Sequence, residues 1–457
     1  MAQAFFGGVH PHDMKAATNE KAIEQLAPPA VVVIPMSMHF GAPCTPLVKA
    51  GDHVKVGQKI GEFHGLGAPI HASVSGTVKA VEPRPYSMGG NITSVVIEND
   101  MQDEVSEEVQ APADPNALSV EEMVEIVKNA GIVGMGGATF PTHVKITSGI
   151  GKVNTVIING AECEPYITGD HRTMLERPEE IIGGAKFLAK MFGVDKVVIG
   201  VEDNKQNGID AMNKVIAEQK APVVVEPLRC RYPQGGEKQL CQAITGRQVP
   251  PGGLPADIGC AVFNINTTCA IYRALTTGMP VVRKIVTVSG SGVVEPKNLE
   301  CPIGTPVTNL LDACGGLKDG TFKLIAGGPM MGMAQYTADI SVAKGTGAIL
   351  AFCENEEKTV ENPQCIRCGK CVSVCPMHLE PLFMYQYASK GMVEELNAAH
   401  IMDCMECGAC SYICPARMHL THMFKTGKQL VKDKAAADRA AAEAKKKAEE
   451  AKEAAAK

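Results

Sequence analysis

Tryptophan is absent from this 457-residue chain and aromatic residues make up only 4% of it, so its sites must rest on backbone groups more than on ring platforms. Basic excess is lacking too: a net charge of -6 and a pI near 6.1 leave no basic face for nucleic acid. No apolar run approaches the ~20 residues needed to cross a bilayer; the longest lies around Ala30 to Met36. The opening Met-Ala-Gln-Ala-Phe-Phe-Gly-Gly has neither the basic start nor the apolar core of a signal peptide. These absences predict a cytoplasmic protein, soluble by itself, that meets a membrane only through a partner.

Glycine (46) and proline (29) are plentiful, which at this length predicts a loop-rich α/β protein of about three domains. Of the seventeen cysteines, nine are scattered singly, as in a reducing compartment. The other eight form two copies of one pattern, C-x2-C-x2-C-x3-C-P, at Cys365, Cys368, Cys371 and Cys375 and at Cys404, Cys407, Cys410 and Cys414. That run holds cubane iron–sulfur clusters, the fourth cysteine ligating the other cluster. The rule predicts two [4Fe–4S] centres, one on Cys365, Cys368, Cys371 and Cys414, the other on Cys404, Cys407, Cys410 and Cys375. Gly369 and Gly408 suit the tight turns that aim amides at sulfide. The alternatives fit less well: zinc ribbons use two C-x2-C knuckles, and disulfides need an oxidising compartment.

Along the chain, residues 1–30 read as an irregular extension, broken by Gly7-Gly8, Pro11 and Pro28-Pro29. Residues 31–100 read as an all-β barrel-sandwich. Its Pro46–Ile60 and Ala68–Val78 stretches resemble lipoyl carrier domains without a carrier lysine motif, so the domain is taken as structural. Residues 100–115 are an acidic, proline-containing linker. An α/β domain over 116–282 opens on a helix with a capping box, Ser119 before Glu122. It continues as strand 153–158, helix 173–192, strand 196–201, helix 205–219 and strand 222–226, which implies a parallel or mixed sheet. A β-grasp module fits 283–352, with a helix at 307–313 and strands at 321–326 and 348–352. An α-helical two-cluster, ferredoxin-like domain occupies 357–428. The tail, 432–457, is almost only Ala, Lys, Glu, Asp and Arg, and is expected to form a charged, solvated helix with no apolar stripe to dock it.

Four polar or glycine-rich stretches fall in the α/β domain. In Gly131–Lys145 the glycines at 134, 136 and 137 allow close approach of a flat or anionic ligand and offer successive amides. Ile158-Asn-Gly-Ala-Glu-Cys-Glu follows a strand directly, so it lies at the carboxyl edge where such sheets bind ligands. There Asn159 both donates and accepts, as a flavin ring edge requires, and Glu162 and Glu164 accept. Arg231–Lys238 sets a glycine pair beside an acid, and Phe263-Asn-Ile-Asn-Thr-Thr offers amides and hydroxyls before a helix. Cys163, flanked by two acids, is not expected to be a nucleophile, because acids raise a thiol's pKa. The histidines show no metal spacing.

In this order the four stretches resemble the flavin- and NADH-binding subunit of respiratory complex I. With Phe6-Gly-Gly-Val-His-Pro, Ile34–Pro43 and the two-cluster region added, the chain resembles the family of C subunits of Rnf complexes over about residues 5–428. The resemblance implies FMN lined by Gly134, Gly136, Gly137, Lys145, Asn159, Glu162, Gly235, Gly236, Asn264 and Thr267. It implies NAD(H) met by Phe140, Glu164 and Glu237. Ala161 and Gly236 depart from the complex I pattern, each standing where that subunit has a carboxylate.

The activity so implied is an NADH-dependent flavin/iron–sulfur oxidoreductase, since flavin exchanges a hydride with nicotinamide and single electrons with cubanes. The expected partners are the other Rnf subunits, some integral to the membrane and one an iron–sulfur protein, and indirectly soluble ferredoxin. The expected place is the cytoplasmic face of the bacterial membrane, with Na+ or H+ transport coupled elsewhere in the complex. The rival readings are a cobalamin reductase of bacterial microcompartments, which shares the flavin, β-grasp and two-cluster plan, and a non-catalytic iron–sulfur scaffold.

Overall fold

The computed structural model describes residues 5–354 and 360–455, with side chains to residue 447. The predicted start of the cluster domain at 357 lies outside these. The chain forms two compact units: residues 10–354, and residues 5–9 together with 360–455.

The first unit begins with strand β1 (Ile23–Gln25) and continues into the barrel-sandwich: β2 (Val31–Pro35), β3 (Thr45–Pro46), β4 (His53–Val54), β5 (Lys59–Glu62), β6 (Ile70–His71), β7 (Gly76–Pro85) and β8 (Asn91–Asn99). Its two sheets run β2-β8-β7-β4 and β3-β5-β6. Alternate apolar residues fill the space between them, with Val32, Ile34, Val54, Ile60, Ile70 and Ile97 fully buried. The acidic linker is held to this domain, because Lys55 pairs with both Glu104 and Glu107 at 2.8 and 2.5 Å.

Helix α1 (Val120–Asn129) starts at the predicted capping box: Ser119 Oγ accepts from Glu122 N, and the Glu122 carboxylate accepts from Ser119 N. The α/β domain continues through α2 (Thr142–Gly149), β9 (Thr155–Gly160), α3 (Gly169–Glu176), α4 (Pro178–Phe192), β10 (Val197–Glu202), α5 (Gln206–Gln219), β11 (Val223–Leu228), α6 (Glu237–Thr245), β12 (Cys260–Asn264) and α7 (Ile265–Thr277). The single helix expected over 173–192 is two, because Pro178 has no N–H to continue α3 and instead begins α4. All four strands are parallel, in the order β11-β10-β9-β12. The order reverses direction at β9, and the crevice beyond the carboxyl ends of β9 and β12 is where such sheets bind ligands. Helices α4 and α7 pack closely because Gly184 lacks a side chain, and a Cβ there would fall 2.2 Å from Thr268 O.

The third part of this unit has β13 (Arg283–Ser289), β14 (Lys297–Pro302), α8 (Val307–Ala313), β15 (Thr321–Ala326), β16 (Met333–Gln335) and β17 (Ala348–Cys353). Its six-stranded sheet runs β1-β14-β13-β17-β15-β16. The amino-terminal extension is thus not irregular throughout, since Ile23–Gln25 pairs parallel with Asn298–Glu300 and forms the sheet's edge. Three residues carry too little periodicity to be read as a strand, and only the partner 275 positions away completes it.

In the second unit, α10 (Pro381–Ser389), α11 (Val393–Ala398) and α12 (Ala409–Ile413) pack on α13 (Leu420–Ala455), and α9 (Lys370–Ser373) packs against α10 and α12. Leu420, Phe424 and Val431 are buried at the start of α13, whereas residues 435–447 are exposed. The charged tail is therefore helical as expected, and it continues the last helix of the cluster unit without a break.

Candidate functional site

At the carboxyl ends of β9 and β12, Asn159 and Asn264 are register partners in the parallel pair. Asn264 caps α7, its Oδ1 accepting from Asn266 N at 2.9 Å, while its Nδ2 donates to Asp170 Oδ2 at 2.7 Å. The Asn159 side chain braces two loops: Nδ2 donates to Gly235 O at 2.8 Å, and Oδ1 accepts from Ala161 N at 3.2 Å. Loops 161–168 and 229–236 are thereby tied together at the end of β9.

Over the crevice lies the glycine loop, closed on itself by Gly134 N donating to Phe140 O and Thr139 N donating to Gly134 O. Met135 anchors it at both polar groups: its N–H donates to Thr267 Oγ1 at 2.9 Å, and its carbonyl accepts from the buried Lys284 ammonium at 3.0 Å. A second buried ammonium, Lys344, reaches Gly131 O and Pro69 O at 2.6 and 2.8 Å. The successive amides of Gly136, Gly137 and Ala138 are exposed and donate to no acceptor among the described residues. Gly137 has φ +115° and open space where a Cβ would stand, while a Cβ on Gly136 would meet Asn264 at 3.3 Å. Three unpaired amides beside a helix amino terminus suit an anionic group such as a phosphate.

The loop after β9 is held in an unfavourable backbone. Glu162 and Tyr166 both have positive φ, 48° and 69°, which for side-chain-bearing residues is sustained only by surrounding contacts. Those contacts come from the amino-terminal extension. Lys15 Nζ donates to Glu162 O at 3.0 Å, to Glu164 O at 2.9 Å and to Ile167 O, and Tyr166 N donates to Asp13 O at 2.8 Å. The Glu162 carboxylate is fully inside, accepting from Asp170 N at 2.6 Å at the start of α3, with Lys15 Nζ 3.9 Å away. Burial drives this pair toward neutrality, raising the carboxyl and lowering the ammonium.

Glu164, expected at nicotinamide, is tied down by Met330 N and Met331 N at 3.1 and 3.0 Å. Burial raises its carboxyl to about 7, against the pull of those two amides. Lys145 and Glu237, expected at FMN and NADH respectively, pair with each other at 2.7 Å, and Lys145 also donates to Val262 O at 3.0 Å. Phe140 lies 6.0 Å from Phe40, ring to ring. The Cys163 thiol accepts from Gly235 N at 3.3 Å; burial pushes its pKa up, and the neighbouring carboxylates of Glu202 and Glu164 add to that.

Of the residues predicted at FMN, Asn159 bonds Gly235, Gly136 lies against Asn264, and Thr267 holds the glycine loop through Met135, whereas the Glu162 carboxylate turns inward to Asp170 N and Lys145 pairs with Glu237. Sequence reasoning missed Lys15, Lys284 and Lys344, all three buried, and the half-buried Asp170. Burial lowers Lys284 to about 8 and Lys344 to about 7. A lysine in an irregular extension or a β-grasp strand carries no local mark of the carbonyl it will meet.

In the second unit two cavities hold the eight patterned cysteines. Cys365, Cys368, Cys371 and Cys414 line one, and Cys375, Cys404, Cys407 and Cys410 line the other. The backbone repeats: Gly369 and Gly408 have φ +75° and +80°, Arg367 and Glu406 have +54° and +56°, and His378 and Arg417 have +56° and +55°. These turns bring Arg367 N to Cys365 Sγ, Glu406 N to Cys404 Sγ and Leu379 N to Cys375 Sγ, at 3.3, 3.4 and 3.4 Å. Among the described residues no three His, Cys, Asp or Glu side chains converge tightly enough for one metal ion. The thiols instead ring a cavity, with amides aimed at sulfur, which fits a polynuclear cluster. The environments differ: Cys365 and Cys368 are exposed, whereas Cys375, Cys407 and Cys410 are buried. Burial raises the Cys404 and Cys407 thiols to about 11 and 12.

Four family models match the chain: the RnfC barrel sandwich hybrid domain over residues 3–102, the Nuo51 FMN-binding domain over 127–273, the SLBB domain over 285–334 and the 4Fe-4S dicluster domain over 358–415. The C subunit of the Na(+)-translocating ferredoxin:NAD(+) oxidoreductase complex of Acetobacterium woodii is 45% identical over 401 residues, 87% of this chain and 90% of its own. The proton-translocating counterpart from Clostridium ljungdahlii is 44% identical over 397 residues, 86% of each chain. The C subunit of the ion-translocating oxidoreductase complex of Rhodobacter capsulatus is 41% identical over 379 residues, 82% of this chain and 73% of its own. Among solved structures, an NAD+-reducing [NiFe]-hydrogenase in the H2-reduced state aligns with a TM-score of 0.50 at 18% identity. That alignment covers 70% of this chain and 63% of the other, a likeness of fold alone.

Proposed function

Because the chain belongs to the family of C subunits of ion-translocating ferredoxin:NAD(+) oxidoreductase complexes, we propose that it is the electron-input subunit of such a complex. In this role it passes electrons between NAD(H) and partner subunits by way of FMN and two [4Fe–4S] clusters. The observation that carries the reading is the crevice beyond β9 and β12, where a loop with three unpaired amides lies beside Asn264, the register partner of Asn159. It stands on the same chain as two cavities each lined by four cysteines.

FMN, when bound, supplies the exchange between two-electron and one-electron chemistry. The chain's own residues bind and orient. The amides of Gly136, Gly137 and Ala138, with the amino terminus of α7, would take the phosphate. Asn159, Gly235 and Gly236 would line the ring side. Glu164 and Phe140 would meet nicotinamide, and Glu164 also holds the Met330–Met331 loop. The cysteine quartets would hold the clusters, and the amides directed at Cys365, Cys375 and Cys404 would raise their potentials by offsetting negative charge on sulfur.

No helix among the described residues is long and apolar enough to cross a membrane. Relatives named for Na+ and for protons are 45% and 44% identical to this chain, so we assign the ion path and the choice of ion to other subunits. The docking partners would be membrane subunits and an iron–sulfur subunit on the cytoplasmic face, with ferredoxin beyond them.

The purified protein should be yellow-brown, release FMN on denaturation, and bleach when NADH is added. Iron without flavin, or flavin that NADH leaves oxidised, would overturn the assignment.

A further inference from the structure

The motif Phe6-Gly-Gly-Val-His-Pro has no part in the flavin crevice, yet residues 5–9 are built into the cluster unit, more than 350 positions away in sequence. Their contacts centre on one cysteine. Gly8 N donates to Val374 O at 2.8 Å. Gly7 has φ +75°, and a Cβ there would stand 2.7 Å from Val374 O and 2.9 Å from the Cys375 carbonyl carbon and oxygen. Only glycine fits, both for its backbone angle and for its clearance. Phe6 stacks on His378, ring centroids 4.5 Å apart and planes 19° from parallel, and Phe5 and Val9 on either side are 2% and 4% exposed.

The turn so covered, Val374 to Leu379, presents the Cys375 thiol to the second cavity. Within it His378 N donates to Cys375 O at 3.2 Å and Leu379 N to Cys375 Sγ at 3.4 Å. The equivalent turn of the other repeat, Cys414 to Arg417, has the same internal bond, Arg417 N to Cys414 O at 3.1 Å. Phe-Gly-Gly occurs once in the chain, and Gly7 and Gly8 meet the Cys375 turn.

We propose that the segment Phe5–Val9 is a positioning element for one cluster alone, clamping the turn that carries Cys375 so that this thiol meets the cavity of Cys404, Cys407 and Cys410. Ligands held by outer contacts of this kind typically lose 10- to 100-fold in metal affinity when the contact is removed. The inference rests on the cluster reading of the cysteine quartets, and iron and sulfide content of the unaltered protein tests that reading separately.

The test uses the full chain carrying its clusters, with Cys375→Ser and Cys414→Ser as references that identify each cluster's paramagnetic signal in the reduced state. In Gly7→Val, the signal that Cys375→Ser removes should be shifted, and a chelator should strip that cluster roughly tenfold faster, while the Cys414-dependent signal and its stripping rate stay as in the unaltered protein. Phe6→Ala, at a half-exposed position that leaves the backbone angle of Gly7 untouched, should change the same signal in the same direction. Unchanged spectra and stripping rates in Phe6→Ala, an equal change in both clusters, or a change confined to the Cys414-dependent cluster would each overturn the proposal.

Discussion

Lys15 donates at 2.9 Å to the backbone carbonyl of Glu164, a residue 149 positions further along the chain. The same nitrogen also holds the carbonyls of Glu162 and Ile167, so one buried side chain fixes the loop at the carboxyl end of β9. Lys15→Met leaves three partly buried carbonyls without their donor and Glu162 without its buried partner. Losing one partner of such a buried set costs on the order of 2–4 kcal/mol. The variant should melt at lower temperature and retain less FMN per chain after gel filtration. A variant that keeps both the unaltered melting point and full flavin would show that the loop holds its shape without Lys15.

Glu164 should give the fold a readable pH dependence. Its carboxyl sits at about 7 in the folded chain because of burial, against an ordinary 4.5. The folded state therefore binds the proton more tightly, and the group costs stability above pH 7. That cost fades as pH falls from about 7 toward 4.5. The shift corresponds to at most roughly 3 kcal/mol. Glu164→Gln should gain on the unaltered protein between about pH 5 and pH 8 when denaturation midpoints are compared; a constant difference across that range would contradict the assignment. Glu164→Ala should impair NADH oxidation while iron and FMN content stay near normal.

Lys145 and Glu237 offer a test of whether paired residues serve different ligands. Their side chains are 31% and 40% exposed, so their mutual attraction contributes at most about 1 kcal/mol. A double-mutant cycle on thermal stability should return a coupling of that size. Lys145→Ala should lower flavin retention, whereas Glu237→Ala should raise the KM for NADH with flavin content unchanged. Equal flavin loss in both variants would place the pair wholly within one site.

Crossed ligation has its own test in Cys375→Ser. Cys375 lines the cavity of Cys404, Cys407 and Cys410, although it belongs in sequence to the Cys365 run. About half of the iron should be lost, together with the signal that Cys407→Ser also removes. Loss of the signal tied to Cys368→Ser instead would contradict the crossing.

Much of this was legible in the sequence, because the features concerned are local. The capping box at Ser119 and Glu122 and the alternation of strands and helices are fixed by neighbours within a few residues, and the structure repeats them. The paired cysteine runs also announce themselves, since each pattern must wrap its own backbone around a cavity. The glycine at 137 marks a backbone angle, φ +115°, that side-chain-bearing residues rarely adopt, so a tight loop at this point is legible from the residues alone.

What the sequence by itself determined was thus the order of domains and the chemistry of each cavity. Only the tertiary structure decided what holds the sites in shape. An extension that looks irregular supplies Lys15 to the β9 loop, an edge strand to the β-grasp sheet and Gly7 to the Cys375 turn. Lys284 and Lys344 likewise meet carbonyls about 150 and 210 positions distant. The physical reason is that a buried ammonium or a side-chain-free glycine gains its meaning from a partner far along the chain, and no local periodicity encodes that partner.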